Sequence, residues 1–112
     1  MEAYLWRDFM PGPETSTEGS GLIASVTVSA VDSLDLPEGA DLKRLWVFLG
    51  GEVWQTEFSE VAVVSEPHSI QRVARGGPRW KPGSVVDVVT QLEIPNHPPV
   101  YLHVRVEIQA TF

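Results

Sequence analysis

Residues 100–112 run Val-Tyr-Leu-His-Val-Arg-Val-Glu-Ile-Gln-Ala-Thr-Phe, and their alternation decides the fold class. Val100, Leu102, Val104, Val106, Ile108, Ala110 and Phe112 fall on one face. Tyr101, His103, Arg105, Glu107, Gln109 and Thr111 fall on the other. A period of two is that of a strand with one buried and one wet face. Slipping the register by one residue would carry the whole apolar set into water, so the pattern pins the register.

The same reading extends backwards. Pro95-Asn96-His97-Pro98-Pro99 is turn-forming and joins this strand to another over Ser84–Glu93. Leu22–Val31 alternates Leu22, Ala24, Val26, Val28 and Ala30 against Ser25, Thr27 and Ser29, again a half-buried strand. Arg44–Leu49 and Val53–Phe58 are apolar-aromatic runs joined through Gly50-Gly51, a hairpin signal because glycine supplies the positive φ of a tight turn. Val61–Val64 is a short strand candidate, and Ser69–Ala74 is a more polar one suited to a sheet edge. No window has a helical period. The expectation is an all-β, two-sheet antiparallel sandwich of about seven strands.

Residues 11–21 (Pro-Gly-Pro-Glu-Thr-Ser-Thr-Glu-Gly-Ser-Gly) have linker composition. They set off an apolar arm, Tyr4–Met10, which is either frayed or docked as an edge strand. The division expected is an N-terminal arm and linker over 1–21 and a sandwich domain over 22–112.

Size and composition narrow the function classes. The chain's 112 residues suffice for one domain with its own core. There is no cysteine, which removes disulfides, thiolate nucleophiles and cysteine-ligated zinc. Residues 1–8 carry acid early and have no long apolar run, so no signal peptide is read there and a cytoplasmic location is expected. No run reaches the roughly 18 apolar residues of a membrane span. The net charge of −7 opposes nucleic-acid binding, which requires clustered Lys and Arg. That charge is unevenly placed: residues 1–66 hold twelve acids and three bases, residues 67–112 three acids and five bases.

Trp80-Lys81-Pro82-Gly83-Ser84-Val85-Val86-Asp87-Val88-Val89 resembles the approach to a late strand of immunoglobulin-like and fibronectin type III-like domains. The likeness covers residues 80–112 and implies an immunoglobulin-like sandwich, with no function attached. It departs from fibronectin type III in lacking the corner tyrosine, where Val85 or Val86 falls. It departs from true immunoglobulin domains in lacking the Cys–Trp–Cys core. Gly76-Gly77 and Arg79-Trp80 also resemble loops of the chagasin-like cysteine-protease inhibitors, which are immunoglobulin-like. Here both fall in one segment, the proline precedes the arginine, and no Asn-Pro-Thr-Thr-Gly is present.

Two segments are candidate interaction sites. Arg72, Arg75, Arg79 and Lys81 are four of the chain's eight bases and flank Trp80 in a stretch without acids. Arg and Trp are enriched at binding hot spots, so this is a docking loop for an acidic partner, or a polar edge and turn with Trp80 folded inward. Trp46 and Trp54 lie in the aromatic hairpin. There Trp46 and Phe48 alternate with Leu45, Val47 and Leu49, so both faces are apolar. One face meets the core and the other is covered by the arm, by another strand or by a partner.

Asp32, Asp35, Glu38 and Asp41 are spaced three apart, unlike a calcium-binding EF-hand, and read as a solvated loop. His68, His97 and His103 lack metal-ligand spacing. No cofactor, metal or catalytic residue is expected. The leading expectation is a non-catalytic protein-interaction module binding a protein partner or a second copy as a homodimer. A proteinaceous protease inhibitor and a small-molecule or sugar-binding sandwich stand as alternatives.

Overall fold

The structure is a computed structural model and describes residues 1–9, 21–29, 39–58, 60–61 and 69–111. Among these, nine strands occur and no helix: β1 Glu2–Asp8, β2 Ile23–Ser29, β3 Asp41–Leu49, β4 Glu52–Glu57, β5 Glu60–Val61, β6 Ser69–Ala74, β7 Val85–Glu93, β8 Val100–Glu107 and β9 Gln109–Thr111. They form two sheets, ordered β5-β6-β2-β1-β9 and β4-β3-β7-β8. Every pairing is antiparallel except β1 with β9. The all-β sandwich read from the alternation is the fold of the chain.

The core lies between the sheets and is assembled from the alternate positions that the pattern marks. Leu22, Ala24, Val26 and Val28 face inward from the first sheet, and Leu45, Val47, Val86, Val88 and Leu92 from the second. Burying such side chains stabilises the fold by about 1.5–3 kcal/mol each. Thr90 is the polar member of this layer. Its hydroxyl donates to the Arg44 carbonyl at 3.0 Å, which satisfies a group that would otherwise be costly to bury.

Three features differ from the alternation. The N-terminal arm, over its described residues, is docked: as β1 it pairs with β2 along residues 2–6 and with β9 along residues 6–8, so it lies inside the first sheet and not at an edge. Leu5 is the reason, being an apolar side chain buried in the core. The run 100–111 is two strands. β8 pairs with β7 in one sheet, Ile108 is buried at the crossing, and β9 pairs with β1 in the other. Alternation persists through such a crossing and so hides it. Lys43 is a bulge residue in β3, because the register passes from Leu42 opposite Leu92 to Arg44 opposite Gln91. One extra residue lets Leu42 and Leu45, three apart, both reach the core.

β6, expected at an edge, lies between β5 and β2. Val61–Val64 is described only as far as Val61, in β5. The turns follow their residues. Gly50 has φ 57° and Gly51 does not share the positive value, the pattern of a type II′ turn. Pro95-Asn96 makes the β7–β8 turn, with Asn96 at φ 64° and the His97 N–H donating to the Ile94 carbonyl at 3.1 Å.

Candidate interaction surfaces

The basic segment occupies the end of β6 and the crossing from β6 to β7. Arg72 bridges the sheets: its Nε and Nη2 lie 3.0 and 2.9 Å from Asp41 Oδ1 on β3. Its guanidinium is thus engaged within the fold. Arg75, Arg79 and Lys81 are exposed on the crossing. Trp80 is half-buried and packs against the core.

The crossing is fastened at several points. Leu22 and Gly77 exchange backbone bonds, Leu22 N–H to Gly77 carbonyl at 3.3 Å and Gly77 N–H to Leu22 carbonyl at 3.1 Å. Arg7, only 7 % exposed, reaches from β1 to donate through Nη1 to the Arg79 and Trp80 carbonyls at 3.3 and 3.2 Å. Its guanidinium also lies 4.8 Å from the centre of the Phe9 ring.

Gly77 joins the two candidate segments. A β-carbon there would lie 2.8 Å from the Trp54 ring and 2.9 Å from Leu22 Cβ, so the bare backbone is what lets the crossing lie flat on the indole. Trp54 itself is 9 % exposed and belongs to the core cluster. That burial takes its side chain out of the candidate partner-binding set, because β4 turns Trp54 inward opposite Val47.

Trp46 points the other way. The outer face of β4-β3-β7-β8 presents Val53 and Phe48 as a cross-strand pair, Trp46 opposite Gln55 and Val89, and Tyr101 opposite Gln91. The Trp46 and Tyr101 rings meet above β7 with centroids 6.0 Å apart. Phe48 is 40 %, Val53 53 %, Val85 55 % and Tyr101 59 % exposed. The second apolar side of the aromatic hairpin is thus an open sheet surface, and β1 sits in the opposite sheet.

A charged group borders this surface. Asp87, opposite Phe48 on one side and Arg105 on the other, accepts from Arg105 Nε at 3.1 Å and shares a hydrogen bond with His103 Nε2 at 2.9 Å. The bond from Arg105, and after it that from His103, hold the Asp87 carboxyl below its ordinary value. A lowered native value means that the native state binds the proton less readily than the unfolded chain. The stability drawn from this group is therefore complete above the ordinary carboxylate value, about pH 4, and is lost as pH falls through the lower native value. In a carbon-detected NMR titration the Asp87 midpoint should lie below that of a free aspartate, and Arg105→Gln should raise it. An unmoved midpoint would contradict the pairing.

Sequence reasoning located Trp46 and the basic crossing. It passed over Arg7, Tyr101 and the Asp87 group, whose partners across the fold lie 16 to 73 positions away. The strict alternation of 100–112 does put Tyr101 on the outer face. What it lacks is the strand order that sets Tyr101 beside Trp46. His97 lies exposed in the β7–β8 turn, lining a cleft of ≈ 200 Å³ with Gly39, Glu93 and Pro95. His68, Asp32, Asp35 and Glu38 lie outside the described residues. Among the described residues no cluster of His, Asp and Glu has metal-site geometry, and no helix is long and apolar enough to cross a membrane. No protein-family model, curated protein or solved structure matches this chain.

Proposed function

We propose that the chain is a non-catalytic protein-interaction module that binds a protein partner through the outer face of β4-β3-β7-β8. The observation that carries this is the set of Phe48, Val53 and Tyr101 about Trp46, the three 40 %, 53 % and 59 % exposed, with Val85 beyond Asp87 on the same face. Apolar patches of this kind, ringed by polar groups, mark interfaces, and aromatic side chains dominate binding energies. Here the ring consists of Asp87, His103, Arg105, Arg44 and Glu57.

The immunoglobulin-like reading of residues 80–112 belongs to the same proposal. The orders β5-β6-β2-β1 and β4-β3-β7-β8 correspond to the D-E-B-A and C′-C-F-G sheets of that architecture. A reducing, cytoplasmic setting agrees with the absence of cysteine.

The test has two steps. Proteins retained by the immobilised wild type and lost by the double variant Phe48→Gln, Tyr101→Gln are identified, then titrated in purified form against both. The expected loss of affinity is about thirtyfold or more, the effect of removing central aromatic anchors. Equal binding by wild type and variant would sink the proposal. Loss instead on changing Arg75, Arg79 and Lys81 to Glu would move the site to the basic crossing.

A further inference from the structure

The first sheet has an outer face of its own, on the other side of the sandwich from Trp46. The registers of β1, β2 and β6 set its residues side by side: Tyr4 beside Ser25, and Glu2 beside Thr27, which in turn lies beside Gln71. Trp6 follows Tyr4 on the same side of β1, opposite Ile23. The Tyr4 and Trp6 rings meet with centroids 5.1 Å apart and planes 35° from parallel, so they form one shallow aromatic shelf. Tyr4 is 50 % exposed, and neither ring packs against the core cluster.

At Tyr4 this face runs into a groove. Over Glu2–Leu5, β1 pairs with β2 alone, since β9 meets it only from Trp6 onward. The side of β1 left open there forms a groove of ≈ 500 Å³, within the range of about 300–1,000 Å³ typical of small-molecule sites. Part of its lining is polar: Glu2, Ser25, Thr27, Gln71 and the Tyr4 phenol. The rest is apolar and includes Ala3 with Val104 and Val106 of β8.

The polar part is arranged for a ligand rich in hydroxyl groups. Gln71 Nε2 donates to Ser25 Oγ at 2.8 Å, which holds both side chains and leaves the serine O–H to donate and the amide oxygen to accept. Among the described residues no protein group engages the Thr27 hydroxyl, the Tyr4 hydroxyl or the Glu2 carboxylate. A carboxylate has two acceptor oxygens and can take the O–H groups of two neighbouring hydroxyls at once. Glu2 is the sole charged side chain of the lining, and the chain carries a net charge of −7, so an anionic ligand is repelled.

We propose that this groove binds a neutral sugar, with a C–H face of the ring on the Tyr4–Trp6 shelf and its hydroxyls toward Gln71, Ser25, Thr27 and Glu2. A pyranose has both surfaces that the site requires. Its C–H hydrogens carry partial positive charge and meet the negative face of an aromatic ring, and its rim hydroxyls both donate and accept. A protein partner fits this wall less well, because serine and threonine are under-represented among binding hot spots. The site lies on the opposite sheet from the Trp46 surface, so it is a second activity, independent of the protein-partner reading.

The experiment is a proton–nitrogen NMR titration of the full chain with four neutral oligosaccharides, cellohexaose, maltohexaose, xylohexaose and chitohexaose, and with anionic hexagalacturonate. At least one neutral chain should bind with a Kd of about 1 mM or tighter and shift the amides of Glu2–Trp6, Ser25–Thr27 and Gln71. Tyr4→Ala should weaken that binding about tenfold and Gln71→Ala about threefold, whereas Tyr4→Phe should keep the stacking and lose little. Thermal midpoints equal to that of the wild type check that the variants are folded. The double variant Phe48→Gln, Tyr101→Gln should bind the sugar as the wild type does, which separates this result from the fate of the protein-partner site. Absence of shifts at these amides with all four neutral chains at about 10 mM would overturn the proposal. So would tighter binding of hexagalacturonate, or sugar binding that Tyr4→Ala leaves unchanged.

Discussion

A chain lacking residues 1–9 is expected to lose its cooperative unfolding transition altogether. In composition this segment is an apolar arm before a linker, and trimming it would be a natural choice in preparing the domain. In the structure it is β1, an interior strand. Its removal strips β2 of one of its two partners, along Ile23–Thr27, and takes from β9 the strand it pairs with. It also takes Leu5 out of the core and Met1 and Ala3 from the core's margin.

The single change Leu5→Ala gives a graded version. Truncating a fully buried leucine costs about 2–5 kcal/mol, a large part of the roughly 5–15 kcal/mol that stabilises a domain. The thermal midpoint should fall by roughly 10–30 °C. Urea unfolding followed by tryptophan fluorescence decides the matter. A truncated chain with the wild-type midpoint and slope would show that β1 contributes nothing to the sandwich.

Arg7→Met should destabilise the protein by about 3 kcal/mol. Arg7 points inward from β1, between the sheets, where an apolar residue would be the ordinary choice. Its guanidinium is tolerated because it ends on the Arg79 and Trp80 carbonyls and against the Phe9 ring. Methionine keeps the apolar stem and removes the donors, so the two carbonyls lose their partner while the packing volume stays close. Hydrogen bonds from a charged group contribute about 1.5–3 kcal/mol each and do not add fully.

The change should also be felt locally. With its carbonyls released, the crossing at Arg79-Trp80 should be cut faster by trypsin under native conditions. Arg7→Lys should recover part of both effects, since a lysine supplies donors but lacks the planar fork. An unchanged midpoint together with unchanged cleavage after Arg79 would show that these bonds do not hold the crossing.

These two predictions concern residues that a one-dimensional pattern cannot rank. Leu5 and Arg7 lie in a stretch too short and too mixed to read as a core strand. Only their neighbours, β2 from one side and β9 from the far end of the chain, give them their roles. Trp54 and Trp46 illustrate the same limit. Both are tryptophans in one hairpin, yet β4 turns Trp54 onto Gly77 and β3 turns Trp46 outward to Tyr101. Composition marks both as candidates, and the facing of each strand separates them. The basic segment was legible as a charge cluster. That Arg72 is held by Asp41 across the sandwich was not, because the two lie 31 positions apart.

What the sequence determined by itself is the class of fold and the facing of its regular strands. Period two over Leu22–Ser29, Val86–Leu92 and Val100–Val106 leaves one apolar face per strand, and burial of that face compels two packed sheets. The tertiary structure alone decided three things: that 100–111 divides at Ile108 between the sheets, that β1 lies inside one of them, and that Trp46, Phe48 and Tyr101 share an open surface. The physical reason is common to all three. Alternation reports which side of a strand is dry, a local property, whereas strand order depends on which edges remain unpaired once the other strands are in place.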